Sequence, residues 1–545
     1  GVHRKHNSCE LFTSFTLVIE PRQMALKKYL RILIFGVITL TSFIQCSAES
    51  GPNSYSLTLK NPKEVHRNGI NDIINSSNGL TPVSQKIARG GGKKEPKSPP
   101  EESSEMSVSS GVINLIVDLC PSGIMPLSYG IAAGGGTGLA LSTVLLVVFG
   151  TISTYTMLCI GRACEMTGEK SLRGVWEVAV GKSTGWVVDA CVSLLCFGCC
   201  VFFSAFIGDL FAALAAALQF PSQLQVRWLV LGLTSLAVIL PLCLMEDLST
   251  LKYTSFGGVG ALLYTLVFVL VRQRGGAYAQ GGRLFDSMPP HLQPALSKAV
   301  PLWRFGPGTL LFLNLVCVGF MAHYNAANYH ASLSTPIKTR DTSLARGLTR
   351  PYGKAVAIAV SSAFVVFVLF MSFGFLSFGA NSQPLLLNNY HPSLDGPASA
   401  ARVGVASALL AGYPLMFKGF KVAFFNLAKD WLASPELKAQ GAELSKTTKS
   451  SVSVAAVAII TSIAMKCGEK DVGFVIGVVG SLLGAFACYV LPSIINLSLF
   501  KKGIVEGSQM DKAISIGLIM LGGIFAIFGT ATCALESFTS FFDEM

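Results

Sequence analysis

The sequence predicts an all-α membrane protein of about 11 transmembrane helices. Three observations predict it. Of 545 residues, 51% are hydrophobic and only 13% are charged, about half the charged share of a soluble globular chain. The mean hydropathy of +0.55 agrees. The apolar residues are gathered into runs near the roughly 20 residues that a bilayer core requires. The basic residues fall between those runs. A net charge of +12 would suggest nucleic acid in a soluble domain, but cations placed in loops follow the positive-inside rule instead. The expected partner is therefore the lipid bilayer, and nucleic acid is excluded.

Residues 1–107 are a different material. They are mostly polar and are read as a largely disordered N-terminal region rich in Ser, Asn, Gly, Pro and Lys. Within it, residues 24–48 place Lys27, Lys28 and Arg31 before the apolar run Ile32–Ile44 and end on Cys46-Ser47-Ala48, a signal-peptide pattern. Met24 is a plausible initiator, so residues 1–23 are expected to lie outside the native coding sequence. Asn75-Ser76-Ser77 is a glycosylation sequon, meaningful only if this region is lumenal.

The transmembrane domain is expected at 108–536, followed by a short tail, 537–545. Leu119–Gly161 contains no Asp, Glu, Lys or Arg. It is too long for one span, and Gly134-Gly135-Gly136 divides it in two. Nine further runs follow: 190–208, 228–245, 253–271, 305–337, 355–382, 403–417, 452–465, 472–500 and 513–535. The connections after the second, sixth and eighth spans carry Arg162, Lys170, Arg173 and Lys182, then Lys338, Arg340, Arg346 and Arg350, then Lys418, Lys421, Lys429, Lys438 and Lys446. These loops and the N-terminal region are expected in the cytosol, which conflicts with a cleaved signal peptide; the loop charges come from several independent segments and carry more weight. Most cysteines fall inside apolar runs and read as small hydrophobes, Cys196 and Cys199 included.

Two spans look interrupted. The first carries Pro121 and Pro126, which remove backbone donors, with Gly123 between them. Five spans later, Gly319, His323, Asn325 and Asn328 fall within an apolar run. Freed backbone groups inside a bilayer need partners, and interruptions at matching positions of two halves point to a transporter site.

These residues carry a resemblance. Asn114-Leu, with Ser122-Gly123-Ile124 and Leu127-Ser128-Tyr129-Gly130, is similar to the first-helix motif of the amino acid/auxin permease (AAAP) family, and within it of the sodium-coupled neutral amino acid transporters. Gly208-Asp209-Leu210, the stretch from Pro241 through Asp247 and Ser249 to Tyr253, Ala322-His323-Tyr324-Asn325-Ala326 and Tyr413-Pro414-Leu415 resemble later motifs of the family. The resemblance implies a LeuT-type fold, a 5+5 inverted repeat with broken first and sixth helices, and secondary-active transport of amino acids by alternating access. Small neutral amino acids are the implied substrate. The amides of Ser122, Gly123 and Ile124 are expected to hold the substrate carboxylate, helped by a half-helix N-terminus. Carbonyls near Gly319 and Phe320 are expected to take its amino group. His323 either lines the pocket or packs.

The chain also departs from that pattern. The family's sodium-ligating Asn falls at Val117 and its eighth-helix Thr at Gly412, and neither offers a side-chain oxygen. Asp118 stands next door, and an intramembrane acid is costly and by default functional. The expectation is proton-coupled or uncoupled transport, with protons as the coupling partner and Asp118 as acceptor; the competing reading of Asp118 is a helix-end charge paired with Lys or Arg. No metal site, no cofactor and no enzyme activity are expected. Gly181-Lys182-Ser183 lacks the first glycine of a phosphate loop, since Trp176 stands there. The alternative function is an amino acid sensor on the same fold. The membrane is either the plasma membrane or a vacuolar or other endomembrane.

Overall fold

The computed structural model describes residues 106–245, 251–296, 301–333, 344–432 and 445–538. The signal-like stretch 24–48, the sequon at Asn75 and the basic connection around Lys338 and Arg340 lie outside the described residues, as do residues 539–545. Ten described helices are long and apolar enough to cross a membrane. A broken segment before them makes the count eleven, and each matches one expected run.

In chain order the spans are Val108–Gly123 with Leu127–Ala132 (first), Leu139–Thr167, Lys182–Ala217, Arg227–Leu244, Phe256–Gly275, Pro307–Leu333 (sixth), Pro351–Phe378, Gly396–Asp430, Lys446–Lys466, Asp471–Lys501 and Gln509–Ser537. Their ends follow local chemistry. The Ser107 hydroxyl accepts the Ser110 amide at 3.2 Å and so caps the first helix. Pro307 and Pro351 open the sixth and seventh spans, where a missing N–H costs nothing. Gly134, Gly135, Gly136 and Gly138 have φ of 59°, 81°, 87° and 87°, a left-handed turn that only glycine enters cheaply. The expected glycine divider is therefore a turn between membrane spans.

Both interruptions are present. The first span stops at Gly123 and resumes at Leu127. The sixth runs Pro307–Gly319, turns through a 3-10 segment at His323–Asn325, and resumes over Ala326–Leu333. Each broken span opens a set of five. Five is odd, so the second set enters the membrane from the opposite side, and the two sets are inverted.

The two broken spans lie antiparallel along their whole length. The Met106 amide bonds the Ser332 carbonyl at 3.0 Å near one face. At the other, Gly308 abuts the backbone of Ala133 and Gly134 so closely that a methyl group there would sit 2.5 Å from the Ala133 oxygen. Between these ends Gly123 meets Gly319. The seventh span packs on the first and second, and the third and eighth make the most extensive helix pair in the molecule. Most of the buried apolar residues of these spans form one continuous core.

Two spans widen into π-helix just before a proline: Ser235–Ile239 ahead of Pro241, and Phe486–Val490 ahead of Pro492. The proline ring crowds the carbonyl one turn earlier and donates nothing to it, so the ladder slips by one residue. The cysteines behave as expected: Cys196 and Cys199 are fully buried and unbridged. The helix Leu172–Ala179 buries Leu172, Val175, Trp176 and Ala179 on one face, as its amphipathic pattern requires.

On the face opposite the start of the first span, Asp395 precedes the eighth span and is fully buried. Arg272 grips it through Nε at 2.9 Å and Nη2 at 2.6 Å, and the Tyr278 hydroxyl donates to it at 2.9 Å. Burial, then the neighbouring Asp395 charge, pushes the Tyr278 phenol up, which keeps it a donor. Removing Asp395 leaves Arg272 unpaired but partly exposed, so the cost lies below the ~3–5 kcal/mol of a fully buried pair. Asp395→Ala is expected to lower the thermal unfolding midpoint of the full chain in detergent by several degrees, and an unchanged midpoint would contradict that role.

Candidate functional site

The site forms where the two interruptions meet. Pro121 has no N–H, so the Val117 carbonyl one turn earlier loses its helical donor, and Pro126 leaves the Ser122 carbonyl in the same state. The Ile124 amide is engaged with the Cys120 carbonyl at 3.1 Å, so the helix persists to Gly123. In this conformation the groups freed by the prolines are thus carbonyls, and Ile124 is not the free donor that the sequence pattern suggested. The second half-helix of the first span has only six residues, Leu127–Ala132, so its dipole is short. On the sixth span, the Phe320 amide bonds the Val316 carbonyl at 3.0 Å and closes the helix. The Gly319 carbonyl then points at Gly123.

Gly123 and Gly319 touch backbone to backbone. A methyl group on Gly123 would lie 2.6 Å from the Gly319 Cα, 3.2 Å from its oxygen and 3.2 Å from Cζ of Phe367. Glycine at 123 is required for two helices to cross, whatever a ligand needs there. Phe367 of the seventh span covers the crossing and packs on Phe320, ring centroids 5.2 Å apart.

Asp118 sits one and a half turns before the first break and is half-buried. The Tyr324 hydroxyl donates to its Oδ1 at 2.7 Å and the Tyr329 hydroxyl to its Oδ2 at 3.3 Å. Tyr329 also reaches the Asn114 carbonyl at 3.4 Å. Among the ion pairs between described residues, none involves Asp118. Among the described residues, what holds Asp118 is therefore a pair of tyrosine hydroxyls and not an ion pair. Hydroxyl-to-carboxylate bonds are charge-assisted and about twice as strong as neutral ones, and they tie the first span to the second half of the sixth.

His323 is fully buried and shares a 2.8 Å hydrogen bond between Nε2 and Thr156 Oγ1 of the second span. It thus faces a neighbour of the broken spans, not the third or eighth. Val117 points elsewhere, toward Gly258 of the fifth span and Ala408 of the eighth: a methyl on Gly258 would meet its γ-carbons at 3.6 and 3.8 Å. Gly412 looks onto the ring of Phe203. Neither position offers a side-chain oxygen, although the Val117 carbonyl freed by Pro121 remains at that depth. Among the described residues, no group of three or more His, Cys, Asp or Glu is placed to hold a metal.

Sequence reasoning located Asp118, Gly123 and Gly319 but not Tyr329, Phe367 or Gly419, which packs against Tyr324. A signal existed for the tyrosines alone. Once two broken spans are set antiparallel with Gly123 on Gly319, Tyr324 falls opposite Asp118.

A family model described as transmembrane amino acid transporter protein matches residues 104–305 and 348–535. The sodium-coupled neutral amino acid transporter 7 of Xenopus laevis is 25% identical over 435 residues, 78% of this chain and 88% of that protein. The vacuolar amino acid transporter 6 of Saccharomyces cerevisiae is 21% identical over 311 residues, 57% of this chain and 64% of that one. Among solved structures, MhsT in complex with L-phenylalanine is similar at a TM-score of 0.47 and 15% identity, covering 78% of this chain and 98% of that one.

Proposed function

The chain belongs to the transmembrane amino acid transporter family, and from that premise we propose that it is a secondary-active carrier of small neutral amino acids, coupled to protons or uncoupled rather than driven by sodium. It is a multi-pass membrane protein and not an enzyme. The observation that supports the coupling reading is the pairing of Asp118 with two tyrosine hydroxyls beside the breaks, together with the lack of a side-chain oxygen at Val117 and Gly412. A carboxylate held by neutral donors can take up and release a proton without breaking an ion pair. Sodium wants a shell of hard oxygen ligands, and these two side-chain positions supply none.

In this reading the first, second, sixth and seventh spans move as a bundle against the third and eighth. The substrate lies at the breaks. Its amino group meets the carbonyls of Gly319 and Phe320, at the negative end of the helix Pro307–Gly319. Its carboxylate meets the backbone of Ser122, Gly123 and Ile124, which requires the Ile124 amide to leave Cys120 when substrate enters. His323 stays in the bundle interior and orients the sixth span through Thr156.

Purified chain in proteoliposomes, given a panel of labelled amino acids and an imposed sodium or proton gradient, tests this. Uptake that is unchanged when sodium is replaced by choline is the expected result. Uptake that requires sodium would overturn the coupling reading, and binding without flux would favour a sensor.

A further inference from the structure

Resting on the carrier reading, we infer that Tyr324 is the gate of the pathway on the face where the first span begins, closing the seam between the moving bundle and the third and eighth spans. A substrate leaving the breaks toward that face must pass between the bundle and those two helices. Tyr324 lies across the seam. A methyl group on Gly419 of the eighth span would sit 3.5 Å from Cδ2 and Cε2 of Tyr324 and 3.0 Å from Sγ of Cys196 on the third span. The ring therefore rests on a position with no side chain, beside the Cys196 thiol. Its hydroxyl meanwhile holds Asp118 of the first span at 2.7 Å. One side chain thus joins spans one, six, three and eight, and it is 7% exposed.

The opposite half is sealed differently. There Gly480 of the tenth span presses on the sixth-span backbone, where a methyl would lie 2.0 Å from the Asn314 oxygen. Opening that side requires a helix to move. Opening the Tyr324 side requires one ring to swing after its bond to Asp118 is given up. The groups facing Asp118 are the Tyr324 and Tyr329 hydroxyls and Asn325 from the sixth span, and the Cys196 and Cys199 thiols from the third. Among the described residues, none of these groups is a cation that would hold the carboxylate once Tyr324 leaves.

Cys196 reports the gate directly, because it is fully buried beside the ring. The full chain in detergent is treated with a small hydrophilic methanethiosulfonate, and the signal from Cys196 is taken as the part lost in Cys196→Ser. Tyr324→Ala is expected to raise the Cys196 modification rate at least tenfold, and Tyr324→Phe, which keeps the ring, to leave it within about threefold. Tyr324→Leu, which refills most of the apolar volume, should give an intermediate rise and serves if the alanine variant does not fold. Rates within twofold of the parent in monodisperse Tyr324→Ala or Tyr324→Leu would overturn the gate. Because labelling needs no flux, its outcome is separable from that of proton coupling, which is read by uptake in Asp118→Asn.

Discussion

Asp118→Asn is expected to bring amino acid accumulation under an inward proton gradient down to the level seen without one, a loss of about tenfold or more, while exchange of substrate across the membrane continues. The amide keeps an oxygen to accept the Tyr324 hydroxyl, so the contact between the first and sixth spans persists. What it cannot do is bind a proton at ordinary pH. The variant therefore separates the carrier from its driving ion. If accumulation under the proton gradient is unchanged, Asp118 is a structural acceptor and coupling resides elsewhere.

The second large effect is expected at the crossing of the breaks, and it carries an internal control. Gly123→Ala places a methyl 2.6 Å from the Gly319 Cα, which no side-chain rotation relieves. The two helices must separate, and overpacking of this kind costs typically 1–3 kcal/mol. Uptake should fall more than tenfold, with a lower unfolding midpoint. Gly319→Ala meets the Phe367 ring instead, at 3.1 Å. A ring edge can give by a few tenths of an ångström, so the loss should be several-fold smaller, and Phe367→Leu should restore Gly319→Ala but not Gly123→Ala. Equal losses at the two glycines, or rescue of both, would contradict the geometry.

The fold was legible wherever one-dimensional information suffices. The divider at Gly134–Gly136, the prolines 121 and 126 and the polar stretch after Gly319 each report a local event: a turn that needs positive φ, a missing donor, a helix that stops. The site was legible only in part, for a different reason. The amides of Ser122–Ile124 were expected from the family resemblance, whereas the prolines themselves remove donors and orphan the carbonyl a turn earlier. His323 had two readings in the sequence. Its observed partner, Thr156, lies 167 positions away on another span, and nothing local to His323 names it.

By itself, the sequence determined that residues 108–536 carry about eleven runs fit to span a membrane, that the first and sixth are broken, and that an acid stands beside the first break. Composition, run length and backbone-breaking residues act locally, and their consequences do not wait for tertiary contacts. Only the tertiary structure decided that Gly123 sits at a helix crossing, that Tyr324 and Tyr329 bond Asp118, and that the Tyr324 ring fills the space over Gly419. Those facts depend on the antiparallel register of two spans some 200 residues apart and on the helices packed behind them, and no periodicity within either segment encodes that register.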